Sequence, residues 1–148
     1  RANRYHHPVG MILIDMDHLK NINDTFGHIA GDQALKEIAK FCSNNLREND
    51  VLGRWGGDEF AILLPESTKT ATLRVANRLQ ESIREQTISL DDHRIDLSVS
   101  IGVAMAEKSM MTLDELFKNA DMALYLAKES GRNQIKTYSS IEKTSLKT

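Results

Sequence analysis

The chain has 148 residues, 41% hydrophobic and 27% charged, with a formal net charge of -2. That length is one domain able to bury its own core, and a near-neutral balance with dispersed lysines and arginines supplies no basic field for nucleic acid. The lone Cys42 excludes an internal disulfide and reads as a small buried apolar side chain. With no signal-peptide pattern and no apolar run near roughly 18 residues, the sequence predicts a soluble cytoplasmic segment without membrane contact.

The start at Arg1 instead of methionine carries the expectation of a domain cut from a longer chain. An upstream sensory region would then be missing, and the parent could still be membrane-anchored through it. One domain is expected over 1–138, followed by a flexible tail over 139–148 rich in Ser, Thr and Lys.

"GMILIDMD", from Gly10, has four consecutive apolar residues before Asp15 and reads as a strand buried on both faces. The stretch "DHLKNINDTFGHIAGD" follows without an assigned helix. From Ala30 to Leu46, apolar Leu35, Ile38, Ala39, Cys42 and Leu46 recur at helical spacing. "DVLGRW" and "EFAILL" flank Gly56 and Gly57 and predict a hairpin with a tight glycine turn, closed by Pro65. A helix is predicted from about Thr68 to Gln86, with Val75, Ala76, Leu79 and Ile83 inward.

"IDLSVSIGV" alternates Leu97, Val99, Ile101 and Val103 with small or polar neighbours, which predicts one strand with one buried face. Its expected partner is "TISL", across a turn at Asp91 and Asp92. The last helix is predicted after Thr112, with Leu113, Leu116, Phe117, Ala120, Leu124 and Ala127 on one face and Gly131 ending it. "NQIKTY" then reads as an edge strand. The order β, α, β-β, α, β-β, α, β implies an α/β (α+β) fold with a mixed, mainly antiparallel sheet and packed helices.

Asp15 lies at the exit of a buried strand, and Asp58 and Glu59 lie at the hairpin tip. If those elements are sheet neighbours, the oxygens can share magnesium, which takes one or two carboxylates and leaves other positions to water and phosphate. Solvated turn acids, including Asp17, are the competing reading. Asp32 can accept from guanine's adjacent N–H donors and Asn23 can donate and accept at a base edge; equally, Asn23 and Asp24 can form a turn and Asp32 can favour a helix dipole. His28 is similarly ambiguous. Lys128 and Arg132, four apart, can hold one anion such as triphosphate or simply complement the end of a helix. Arg47 and Asp50 can be a cap and a turn residue. His6 and His7 have no evident carboxylate partner and read as surface positions.

Together, "IDMDHLKNINDTFGHIAGD", "LREND", "RWGGDEFAILLP", "LSVSIGVA" and "ADMALYLAKESGRNQI" resemble, in family order from about Gly10 to Ile135, the GGDEF family of diguanylate cyclases. The resemblance implies a fold like the polymerase palm and the class III nucleotide cyclase core. It implies condensation of two GTP into cyclic di-GMP with release of two pyrophosphates, with two Mg2+ or Mn2+ per active site and one GTP held by each subunit of a homodimer. Matched residue by residue, Asp15, Asp58 and the Met16 carbonyl would be metal ligands. Glu59 would join the metal and acid-base work, and Lys20 would stabilise charge on the phosphates. Asn23, His28 and Asp32 fall at substrate positions, with Asn23 and Asp32 at the guanine. Gly56 and Gly57 would bare the tip for the phosphates, and Lys128 and Arg132 would hold the terminal phosphate. Arg47 and Asp50 match the family's inhibitory product site.

Two departures stand out. The "DxLTGLxNR" segment is missing apart from a stub of the first helix around Asn3 to His7, and Leu19 replaces the usual phenylalanine. The alternatives are a silent module that binds GTP or cyclic di-GMP, a related enzyme accepting ATP, and a structural dimerisation domain. The intact tip favours catalysis, Asp32 favours guanine over adenine, and a purely structural domain would leave the polar constellation without a job.

Overall fold

The structure, a computed structural model, describes residues 7–90, 92–106 and 111–138. In chain order the elements are β1 (Val9–Met16), α1 (Leu19–Phe26), α2 (His28–Asn44), β2 (Val51–Trp55), β3 (Glu59–Leu64), α3 (Lys69–Arg84), β4 (Thr87–Leu90), β5 (His93–Asp96), β6 (Val99–Ala106), α4 (Leu113–Glu129) and β7 (Ile135–Thr137). Five strands form one sheet in the order β2-β3-β1-β6-β7, and β4 with β5 forms a separate ribbon. Every pairing in the large sheet is antiparallel except β6 with β7, as the mixed, mainly antiparallel expectation requires. The stub at Asn3 to His6 and the tail from residue 139 lie outside the described residues.

Strand alternation divides the core into two layers. Ile12, Ile14 and Met16 of β1 pack with Ile62, Ile101 and Val103 against α2 and α3, including Leu35, Ile38, Leu79 and Ile83. Met11 and Leu13 face the other way, with Ala104 of β6 and with Leu116, Ala120 and Leu124 of α4. β1 is therefore buried on both faces. Cys42 is also fully buried, and that burial pushes its thiol up to about 12, so it behaves as the expected apolar filler.

Three expectations are corrected. The stretch after Asp17 is a helix, α1, so Asn23 and Asp24 are helical and not turn residues. "IDLSVSIGV" is not one strand: it breaks at Leu97 and Ser98 between β5 and β6, and "TISL" pairs with β5 in the ribbon. β6 is also buried on both faces, because its small residues meet α4 instead of solvent. A Cβ on Gly102 would run into the backbone of Ala120 and Leu124, so glycine here sets how closely the helix approaches the sheet.

Thr112 caps α4 in a reciprocal capping box with Glu115, and Gly131, at φ 117, lies just beyond its end. Leu113 is exposed instead of inward. It borders a largely apolar cavity of about 660 Å³ over β2 and β3, with Met11, Val51, Trp55, Leu63 and Phe117. The rings of Trp55 and Phe117 meet there at 4.9 Å. His7 is exposed, but its Nε2 lies 3.8 Å from Glu66 Oε1, a carboxylate partner that the sequence pattern did not reveal.

Candidate active site

The order of the sheet brings the two acidic points together. β1 lies beside β3 with Asp15 opposite Glu59, so the end of the buried strand meets the root of the hairpin tip. The Met16 amide donates to the Asp58 carbonyl at 3.3 Å, locking the tip to the strand. β2 and β3 pair Trp55 with Glu59, leaving a three-residue turn of Gly56, Gly57 and Asp58. Gly56 takes φ 67, which favours glycine; Gly57 does not adopt positive φ, and its carbonyl accepts from Arg54 Nη2 at 2.6 Å.

A cavity of about 360 Å³ opens between the end of β1, the start of α1, the tip and the end of α4. Asp15, Met16, Lys20, Asp58, Lys128 and Arg132 all border it. Asn23, His28, Asp32, Glu59, Gly56 and Gly57 do not. His28 and Asp32 are exposed on α2, Asp32 beyond its first turn. Asn23 projects from α1 onto Gly31, where a Cβ would strike its Oδ1, and that oxygen is buried without a hydrogen-bond partner.

Asp15 is 4% exposed. Its Oδ2 pairs with Lys128 Nζ, while Oδ1 is buried without a hydrogen-bond partner. Burial pushes the carboxyl up from 3.8 to about 6, with the Asp58 charge adding to the rise and Lys128 opposing it. Burial likewise raises Glu59, against Lys128 and together with Asp121 and Asp58. For Lys128, burial disfavours the charge, but the bond to Asp15 and the charges of Asp15, Glu59 and Asp58 outweigh it and raise the ammonium.

Among the described residues, no group of three or more His, Cys, Asp or Glu side chains is gathered as a metal cage. Magnesium does not need one, since it keeps several waters and takes phosphate oxygens. The unpartnered Asp15 Oδ1 beside Asp58, on an open polar cavity, fits such an ion.

The reading of Asp17 as a solvated turn acid fails, because it is 4% exposed. Its Oδ1 accepts from Ser100 Oγ at 2.6 Å, and its Oδ2 accepts from Ser98 Oγ at 2.7 Å and from the Asn133 amide at 3.0 Å. The "DMD" spacing and the two serines opening "SVSIGV" were the available signal. Asn133 follows Arg132, and both are left-handed, at φ 51 and 63, each at a cost of about 1 kcal/mol for a residue with a Cβ.

Arg47 and Asp50 form a separate site at the end of "LREND". The Arg47 amide donates to Asp50 Oδ2 at 2.8 Å, and its guanidinium Nη2 donates to Asp50 Oδ1 at 3.2 Å and to the Pro65 carbonyl at 3.1 Å. Arg47 with Glu48, Asn49, Pro65 and Glu66 borders a cavity of about 500 Å³. The Asp50 side chain is almost fully covered while Arg47 is mostly exposed, so the arginine keeps a free face.

Residues 1–134 match the family described as "Diguanylate cyclase, GGDEF domain". Diguanylate cyclase A of Treponema denticola is 38% identical over 127 residues, covering 86% of this chain and 34% of that protein. The chain thus spans about a third of the length of the curated relatives it matches. Among solved structures, the GGDEF domain of DgcB from Caulobacter crescentus, in complex with c-di-GMP, superposes with a TM-score of 0.88 at 25% identity, over 93% of this chain and 82% of that one. The GGDEF domain of PA1120 (YfiN or TpbB) from Pseudomonas aeruginosa does so at 0.85 and 38% identity, over 92% and 85%.

Proposed function

The chain belongs to the diguanylate cyclase GGDEF family, and from that premise we propose that it condenses two GTP molecules into cyclic di-GMP, releasing two pyrophosphates. The observation that carries this reading is the half-satisfied Asp15 carboxylate, one oxygen on Lys128 and the other buried and unpartnered, on a cavity shared with Asp58, Lys20 and Arg132. Such a site suits a metal-bound triphosphate.

Asp15, Asp58, the Met16 carbonyl and Glu59 would hold two Mg2+ or Mn2+ ions. When bound, the metal would assist loss of the 3′-hydroxyl proton and neutralise charge growing on the α-phosphate. Lys20, Lys128 and Arg132 offer cations from two sides of the cavity, so the triphosphate is gripped from the α1 end and the α4 end together. Glu59, its carboxyl raised by burial, is poised to accept a proton at its carboxylate oxygen. Each 3′ oxygen forms a bond to the α-phosphorus of the other GTP as the bond to pyrophosphate breaks. Asn23, with its buried unpartnered Oδ1, and Asp32 supply polar groups for guanine, with His28 near them on α2.

The reaction needs two such sites face to face, so a homodimer is part of the reading, with one GTP on each subunit. Product inhibition at Arg47 and Asp50 is a further part: the exposed guanidinium face can stack on or fork to a guanine. The DgcB structure, solved with c-di-GMP, supports family-level binding of that nucleotide.

The test is chromatography of the products formed by concentrated protein with GTP and Mg2+, beside an Asp58→Ala control. Cyclic di-GMP from the parent and none from the control is the expected result. A folded parent that makes none at any concentration, yet binds GTP or cyclic di-GMP, would replace the cyclase reading with a receptor.

A further inference from the structure

We propose that Asp17 is a positioning residue that holds the left-handed Arg132–Asn133 turn against the exit of β1 and so places the Arg132 guanidinium on the active-site cavity. The inference rests on the functional reading above. Asp17 borders the cavity, but it offers no free oxygen there, because both its oxygens are engaged.

The partners of that carboxylate come from two distant parts of the chain. Ser98 and Ser100 belong to the entrance of β6, and Asn133 lies between α4 and β7. The Asp17 amide also donates to the Ser98 carbonyl at 2.9 Å, so backbone and side chain tie β1 to the same spot. A carboxylate accepts only, and here three donors converge on it in a buried setting.

The turn it holds is otherwise secured mainly from within. Arg132 N donates to the Ala127 carbonyl at 3.0 Å, and Gln134 Nε2 donates to the carbonyls of Ser130 and Arg132. Arg84 Nε reaches Asn133 Oδ1 at 3.3 Å on the exposed side. The Ile101 amide donates to the Gln134 carbonyl at 3.0 Å and ties the end of the turn to β6; among the described residues, the bond from the Asn133 amide to Asp17, one residue beyond β1, ties its middle to the exit of the strand that carries Asp15. Non-glycine residues persist at positive φ where the surroundings over-determine them, and Asp17 supplies that determination from the sheet. The carboxylate thereby sets the separation between Asp15 on the metal side and Arg132 on the phosphate side.

The experiment measures the affinity of the α,β-methylene analogue of GTP, with Mg2+, for the parent, Asp17→Ala, Asp17→Asn, Asp17→Glu, Arg132→Ala and the double variant Asp17→Ala with Arg132→Ala, each checked by thermal unfolding. Asp17→Ala is expected to weaken binding about tenfold, as outer partners of a binding group do. On the Arg132→Ala background the same change should cost less than about twofold, because the residue it acts through is gone. Asp17→Asn should stay within about threefold of the parent, since its Oδ1 still accepts from Asn133 and Ser98 while the Ser100 hydroxyl turns to accept from Nδ2. Asp17→Glu, which keeps the charge but is one methylene longer, should bind worse than Asp17→Asn. If Asp17→Ala does not fold, Asp17→Glu carries the same cycle with Arg132→Ala.

Equal losses with and without Arg132 would overturn the proposal, as would Asp17→Glu binding better than Asp17→Asn, which would assign Asp17 a role through its charge. A folded parent that binds no analogue would overturn the functional reading itself, and the inference with it.

Discussion

Lys128 Nζ pairs with one oxygen of Asp15 while the other oxygen of the same carboxylate is buried without a partner. The pair links the end of α4 to the end of β1. It also makes Asp15 an acid whose ionisation is opposed by burial and assisted by one lysine.

That opposition has a sign in stability. The Asp15 carboxyl is raised in the folded chain from 3.8 to about 6, so its contribution is fully present below about 3.8 and is lost as pH rises through about 6. The loss is at most about 3 kcal/mol at about 1.4 kcal/mol per unit. Asp15→Asn, uncharged throughout, should melt higher than the parent at pH 7.5 and converge with it near pH 4, by thermal unfolding without metal. Mn2+ should raise the melting temperature of the parent and leave Asp15→Asn unchanged. A variant that melts below the parent at pH 7.5 would refute the cost assigned to the buried charge.

Replacing Lys128 with methionine removes the cation that lowers the Asp15 carboxyl. The pH at which Mn2+ binding is half-maximal, followed by titration calorimetry, should therefore move upward relative to the parent. GTP-analogue affinity at pH 8 should fall about tenfold with the loss of a charge-assisted phosphate contact. An unchanged pH midpoint would separate Lys128 from Asp15.

Gly102 sits where α4 crosses β6, and its Cβ would meet helix backbone that cannot turn aside. Gly102→Ala should destabilise the fold by about 3 kcal/mol, read as a fall of about 10 °C in melting temperature. Gly31→Ala offers a contrast, because the atom it would strike is the Asn23 side chain, which can rotate. Its melting temperature should change little while discrimination between GTP and ATP declines.

Arg47→Ala removes the guanidinium that spans Asp50 and the Pro65 carbonyl. The Asp50 carboxylate is covered and loses its guanidinium partner but keeps the Arg47 amide, so the fold should hold with a loss of about 1 to 2 kcal/mol. Inhibition of product formation by added cyclic di-GMP should disappear, and inhibition curves that coincide with the parent's would rule out feedback at this pair.

Much of the architecture was legible because its signals are local. The apolar run before Asp15 marked β1, the paired glycines marked the hairpin, and the spacing from Leu116 to Ala127 marked α4. α1 escaped notice because "LKNINDTF" buries only Ile22 and carries Asn and Asp, residues that favour turns. β6 reads as half exposed because Ser100, Gly102 and Ala104 look like a solvent face, whereas Ser100 is engaged by Asp17 and the absence of a Cβ at Gly102 admits a helix. In the site, the meeting of Asp15 with Asp58 followed from strand adjacency. The work of Asp17 did not, since its serine partners lie 81 and 83 residues away.

The contact between Trp55 and Phe117 has a practical use. Trp55 is the sole tryptophan, it is paired with Glu59 at the root of the turn, and its indole is 57% exposed while resting on a ring of α4. Tryptophan fluorescence of this chain therefore comes from a single emitter immediately before the hairpin tip. Excited selectively, it should change its emission when the proposed nucleotide and metal arrive at the tip, without any attached dye, and stopped-flow traces would then follow that step.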